Sequence, residues 1–144
     1  MVHSDDLRSL ASLCDRIAAG KRLARQLAVA LREHGLSETE FRLLWLLDKR
    51  GTATQSAEIE QRQLPADLGV SAGQISAVVE RLRSLSLIAN VPCRQDRRRQ
   101  RWALTAGGSR RVAGIALGIA RPAEAWLDLE SNDSDRAPGV GDAA

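Results

Sequence analysis

A mainly α-helical fold with one small β-hairpin is what this 144-residue chain predicts. Three observations carry that expectation. Residues 64–85 spell two short helices around a tight turn. Residues 88–104 spell two short apolar runs around an arginine-rich loop. Outside them lie stretches with long apolar seams at helical spacing, one within residues 1–35 and one from residue 106 onward. Together they predict a winged helix-turn-helix domain, residues 36–105, flanked by N-terminal (1–35) and C-terminal (106–130) dimerisation helices, with a disordered tail over 131–144.

The first helix can be capped by Ser4 or Asp5. Leu7, Leu10, Cys14, Ile17, Ala24, Leu27 and Leu31 recur at spacings of three and four, and Gly35 ends the run. At roughly 28 residues this helix exceeds what a domain of this size needs, which suits an oligomerisation element. The plainer alternative is a helix packed on its own domain. Ser37 and Glu40 then form a capping box, with Leu36 and Phe41 as its hydrophobic staple. Phe41, Leu43, Leu44, Trp45, Leu46 and Leu47 are apolar nearly all round, so the second helix should lie centrally, and Gly51 should stop it. Residues 52–63 are the least periodic; a helical turn over Ala57–Gln63 is the expectation. Pro65 lacks an N–H and therefore fits the first turn of a short helix starting near Leu64.

Gly69-Val70-Ser71 is the turn between the two short helices. Gly69 can take the left-handed conformation that ends the first. Ser71 is a strong N-cap for the second, and Gln74 completes a capping box, with Val70 and Ile75 at staple spacing. Ile75, Val78, Val79, Leu82 and Leu85 should face a core. The opposite face carries Ala72, Gly73, Gln74, Ser76, Ala77, Glu80 and Arg81. It is small and polar at its start, so this helix can sit deep in a DNA groove, where Gln74 and Ser76 can bond base edges. An ordinary amphipathic surface helix would show a similar division.

Downstream, Ile88–Pro92 and Trp102–Thr105 read as the strands of a hairpin. From Arg94 to Arg101 its tip holds five Arg against Asp96. Charge runs are usually solvated faces; beside a helix-turn-helix, clustered guanidiniums are better explained by phosphates. Thr105 caps a last helix with a seam of Val112, Ile115, Ile119, Ala123 and Trp126. Gly114 and Gly118 would admit a close partner helix, and Pro122 should kink or divide the element. After Glu130 the chain is small, polar and acidic.

Residues 64–105 resemble the winged helix-turn-helix of the multiple antibiotic resistance regulator (MarR) family. The matching residues are Leu64, Leu68-Gly69-Val70-Ser71, Val79, Arg81-Leu82, Leu87-Ile88, Asp96-Arg97-Arg98 and Leu104-Thr105, the Asp-Arg-Arg followed by Leu-Thr being the most specific. The resemblance implies a homodimer on a pseudo-palindromic operator. Ser71, Ala72, Gly73, Gln74, Ser76 and Ala77 would then be presented to a major groove. Arg81, Arg94, Arg97, Arg98, Arg99 and Arg101 would meet phosphates or the minor groove, and Asp96 would brace the wing by pairing with Arg98. The implied interface joins Leu7, Leu10 and Ile17 to Val112, Ile115, Ile119 and Trp126. Family members often bind small aromatic acids, for which Phe41 and Trp45, one turn apart, are candidate lining residues; filling the core is their plainer role. Others sense peroxide through a Cys in the first helix, where Cys14 lies. That mechanism uses Tyr partners and this chain has none, so a buried, inert thiol is the simpler reading. Ser86 stands where the family usually has Gly, Pro65 where it usually has Ala, and the chain after Thr105 is short.

Composition agrees with a nucleic-acid partner. From Ser71 to Arg111 nine Arg face only Glu80 and Asp96, +7 in a chain of net +3, which leaves −4 for the rest. Among basic residues only Lys21 and Lys49 are Lys. No apolar run approaches the ~20 residues that span a bilayer, and the N-terminus has no signal-peptide pattern. Cys14 and Cys93 form no spaced metal motif, so neither metal nor cofactor is expected, and a reducing cytoplasm is the expected compartment. His3 and His34 lack a nucleophile or metal partner, which argues against an enzyme. The expected function is a transcriptional regulator, more often a repressor within the resembled family; the alternative is a winged-helix module for protein–protein assembly.

Overall fold

In the computed structural model, residues 3–53 and 58–134 are described. The order is α1 (Ser4–Leu31), α2 (Glu38–Ala53), β1 (Ile59–Glu60), α3 (Leu64–Leu68), α4 (Ala72–Ser84), β2 (Ile88–Pro92), β3 (Gln100–Leu104) and α5 (Ala106–Ser134), with 3₁₀ turns at Arg32–His34 and Gln61–Gln63. Two compact units arise: residues 31–117, and residues 1–30 together with 118–144. The division differs from the expected blocks, because the first half of α5 belongs with the helix-turn-helix.

Within residues 31–117 the strands form an antiparallel sheet in the order β1-β3-β2. Ile88 pairs with Leu104 and Pro92 with Gln100, while Ile59 pairs with Trp102. The core gathers α2 (Leu43, Leu44, Leu47), α3 (Leu64), α4 (Ile75, Leu82) and the sheet (Ile59, Ile88), all essentially inaccessible to solvent. Trp102 is buried in the middle of β3, its indole N–H donating to Gln61 Oε1 at 3.0 Å. The Ser37 box forms as expected: the Glu40 N–H donates to Ser37 Oγ at 3.1 Å and the Ser37 N–H to Glu40 Oε2 at 2.9 Å. Phe41 is buried and its ring stacks on Trp45, centroids 6.3 Å apart, leaving Trp45 exposed under the Lys49 ammonium at 4.3 Å.

Two tight junctions seat α5. The Thr105 hydroxyl donates to the Ser86 carbonyl at 2.7 Å and accepts the Gly108 N–H at 3.0 Å, capping α5. Gly108 runs against the Leu87 carbonyl so closely that a Cβ there would lie 2.0 Å from that oxygen. Ser86 closes α4 with φ 59°, the left-handed conformation favoured by Gly. The Ser86 N–H reaches the Arg83 carbonyl at 2.9 Å and the Leu87 N–H the Leu82 carbonyl at 3.1 Å, so a Schellman ending forms on Ser.

In the unit of residues 1–30 and 118–144, Arg22 grips Glu130 with two bonds of 2.8 and 2.6 Å. Leu7, Leu10, Leu13 and Ile17 on α1 and Leu127 and Leu129 on α5 are each at least half exposed.

Several expectations change. Val112 and Ile115 are core residues of the 31–117 unit and Ile119 is also buried in the chain, so these three cannot offer the open interface seam assigned to them. Helical spacing marks an apolar face; it does not say what covers it. Trp126 is half-buried. Pro122 does not divide α5, which runs unbroken from Ala106 to Ser134. Proline removes the bond to the carbonyl four residues back, here that of Gly118, and both residues are exposed, so water can take that carbonyl. The expected tail therefore begins as helix; 135–144 lie outside the described residues. Helix α2 passes Gly51 to Ala53. Where a helical turn was expected over Ala57–Gln63, strand β1 and a 3₁₀ turn stand, and Ala57 lies outside the described residues. Cys14 is exposed in the chain, not buried.

Candidate nucleic-acid interface

The helix-turn-helix is built by local bonds. Gly69 closes α3 in the left-handed region, φ 66°, and its N–H returns to the Pro65 carbonyl. Pro65 occupies the first turn of α3, where a missing N–H costs nothing. At the start of α4 the Gln74 N–H donates to Ser71 Oγ at 3.2 Å and the Ser71 N–H to Gln74 Oε1 at 3.1 Å. Arg42 ties α3 to α2: it pairs with Glu38 at 2.7 Å and donates to the Leu68 carbonyl at 2.9 Å.

The outward face of α4 carries Ser71, Ala72, Gly73, Gln74, Ser76 and Ala77, all exposed. Two of its polar groups are already engaged. Gln74 Oε1 serves the cap, and the Ser76 hydroxyl donates to the Ala72 carbonyl at 3.2 Å. Arg81, expected at phosphate, instead pairs with the buried Glu40 at 2.9 Å and donates to the Gly35 carbonyl at 3.2 Å.

The loop between β2 and β3 is folded around Asp96. Its Oδ1 accepts the Arg98 N–H at 2.9 Å, and its carbonyl accepts the Arg99 N–H at 3.2 Å. Asp96 thus holds the loop through the Arg98 backbone N–H, and among the described residues it forms no ion pair with the Arg98 guanidinium. Arg94, Arg97 and Arg98 are exposed and, among the described residues, without a side-chain partner. Arg99 and Arg101 do have partners: Arg99 lies 3.4 Å from Glu60, and Arg101 lies 2.8 Å from Glu58 and donates to the Pro92 carbonyl at 3.2 Å. The Cys93 thiol, at the root of the loop, is held below its ordinary range first by the Asp96 backbone N–H and then by that of Gln95, with Arg101 and Arg99 adding to the effect.

A cleft of about 490 Å³ separates α4 from the wing, lined among others by Ala72, Ser76, Arg98 and Arg99. The result is a small-residue helix face across a cleft from Arg98, on a wing that also carries Arg94 and Arg97 without side-chain partners among the described residues. That arrangement can enter a groove and engage anionic backbone on either side. Sequence reading missed Glu58 and Glu60 because β1 is only two residues long. The one local signal was the alternation Glu58-Ile59-Glu60 around an apolar residue.

Comparison with known proteins places this fold. No protein-family profile and no curated protein matches the sequence. Solved structures do. A Cys-to-Ser variant of MarR from E. coli, complexed with operator DNA, superposes with a TM-score of 0.65 at 19% identity, over 86% of this chain and 83% of that one. AbsC, a MarR family transcriptional regulator from Streptomyces coelicolor, gives 0.64 at 18% identity over 96% and 85%. NadR, in complex with 4-hydroxyphenylacetate, gives 0.66 at 19% identity over 82% and 79%. The chain has the winged helix-turn-helix fold of these regulators, mainly α with a three-stranded antiparallel sheet.

Proposed function

We propose that this chain is a DNA-binding transcriptional regulator of the MarR type, acting as a repressor and binding a pseudo-palindromic operator as a homodimer. The observation that carries the reading is the exposed, small-residue start of α4 beside a wing whose Arg94, Arg97 and Arg98 have no intramolecular partner among the described residues. Each α4 would enter a major groove, the two half-sites about one helical turn apart. The MarR relative with operator DNA supports this use of the fold. No catalytic activity is proposed.

The dimer reading rests on the open apolar side chains of the unit formed by the chain ends. Leu7, Leu10, Leu13 and Ile17 form a continuing strip on α1, and Leu127 and Leu129 are likewise open on α5. Such a strip is unfavourable in a lone soluble chain and suits a second copy. Trp126, half-buried on α5 next to Leu127, joins the proposal. A small aromatic acid, the class that NadR binds, is the proposed effector. Trp45, exposed and stacked on Phe41, is the proposed reporter of its binding.

The test is binding to inverted repeats beside the gene, with stoichiometry. Two chains per duplex and affinity falling steeply with salt are expected. Duplex binding that ignores salt, or none, would return the fold to protein–protein assembly. Sedimentation at micromolar concentration should give twice 15.6 kDa, and Leu10→Asp should give monomers with weak DNA binding. A native monomer would sink the dimer and the two-half-site operator together.

A further inference from the structure

Strand β1 brings two carboxylates to the base of the wing. Glu58 Oε2 lies 2.8 Å from Arg101 Nη1. Glu60 divides its oxygens, Oε1 3.4 Å from Arg99 Nη1 and Oε2 2.6 Å from Arg62 Nε. Register explains the placement: Glu60 stands opposite Arg101 on the neighbouring strand, and Ile59 between the two acids is buried against the core. The carboxylates are well covered, with side chains 27% and 17% exposed for Glu58 and Glu60. Arg101 is covered as deeply, at 28%.

We infer that Glu58 and Glu60 keep Arg101 and Arg99 off the phosphates. The wing then meets DNA with Arg94, Arg97 and Arg98, and the acid pair sets how strongly the protein holds duplexes of any sequence. This rests on the DNA-binding reading above. For Arg101 to reach a phosphate, Glu58 must be left without its guanidinium in a mostly covered site. For Arg99 to do so, Glu60 must keep its charge on Arg62 alone. A covered carboxylate left with no guanidinium, as Glu58 would be, or with one in place of two, as Glu60 would be, loses compensation for its lost hydration, and a nearby phosphate repels it further. The exchange of partners is therefore disfavoured on both counts. The functional return is selectivity. Non-specific duplex competes in vast excess, and its affinity comes almost wholly from phosphate contacts. Two arginines held back lower that competing affinity without touching the α4 face.

Salt dependence of binding to a mixed-sequence duplex tests this. Native protein is compared with a variant carrying Glu58→Gln and Glu60→Gln. Each freed arginine that gains a phosphate should steepen the log–log slope by about 0.9, so the double variant should gain up to ~1.8, an extra loss of about tenfold between 50 and 200 mM salt. Arg99→Gln should then cost ~0.9 more of slope in the Gln background than in the native one. Should the double variant fail to fold, Glu60→Gln alone should still steepen the slope by ~0.9. A slope unchanged in the folded variants overturns the inference and leaves DNA binding standing. Native protein that binds the duplex without salt dependence, or not at all, overturns both.

Discussion

Arg81 Nε sits 2.9 Å from Oε1 of Glu40, whose other oxygen caps α2 through the Ser37 N–H. One carboxylate therefore sets both the start of α2 and the position of α4, and Arg81 adds a bond to the Gly35 carbonyl. Arg81→Ala should destabilise the fold by about 1–3 kcal/mol, because it leaves a buried carboxylate unpaired. The salt slope of DNA binding should stay unchanged. A slope flattened by ~0.9 would restore Arg81 as a phosphate contact.

The unpaired wing arginines should behave differently. Arg97→Ala with Arg98→Ala should weaken binding to all duplexes alike and flatten the slope by about 1.8, with little change in melting temperature. Operator variants competed against each other are the check; a loss confined to certain base pairs would make one of these residues a base reader.

Gln74→Ala should act mainly through the cap. Its Oε1 closes the box at Ser71, and reading adenine with both amide atoms would require opening it. The expected cost is on the order of 0.5–1 kcal/mol of stability, with base preference largely retained. Selective loss at one operator position on the scale of 1–3 kcal/mol would show the amide leaving the cap to read that base.

Gly108→Ala should be among the most damaging single changes. A Cβ 2.0 Å from the Leu87 carbonyl has no flexible neighbour to displace, so α5 or the entry to β2 must move. A cost above the usual ~0.5–3 kcal/mol of point changes is expected, read by chemical denaturation. Tolerance of Ala would mean the helix start is not fixed by this contact.

Cys93 offers a probe of the wing. Backbone N–H groups of Asp96 and Gln95 favour its thiolate, so alkylation in a Cys14→Ser background should have its midpoint below the free-thiol value of ~8.5. Duplex DNA should slow the reaction by covering the loop. A rate indifferent to DNA would place the wing root outside the complex.

Much of the helix-turn-helix was legible because its signals are local. Gly69, Ser71 and Gln74 dictate their own geometry within six residues, and the Ser37–Glu40 box does the same. Ser86 shows the limit of such rules: the family-like Gly is absent, yet the left-handed ending forms, because the Leu87–Leu82 and Thr105–Ser86 bonds hold it. What sequence could not give was partnership. Arg81, Arg99 and Arg101 look like Arg97 and Arg98 in the chain, and only the approach of Glu40, Glu58 and Glu60 from distant elements separates them. The same holds for Val112 and Ile115, apolar at the right spacing but covered by their own unit.

The first two turns of α4 carry a further implication. With the Gln74 oxygen and the Ser76 O–H engaged inside the helix, the face that would meet a major groove under the proposed function offers two alanine methyls, a bare glycine, the Gln74 amide N–H donors and the Ser76 oxygen as acceptor. Such a surface has few letters to spell with: thymine methyls by contact, single bonds through the Gln74 amide N–H or the Ser76 oxygen, and otherwise the width and stiffness of the duplex. Operators selected from a random pool should therefore yield a shallow consensus, rich in alternatives at each position and constrained chiefly in spacing. Under the proposed function, a protein so equipped would change its set of target genes through drift in DNA shape more readily than through substitutions in α4.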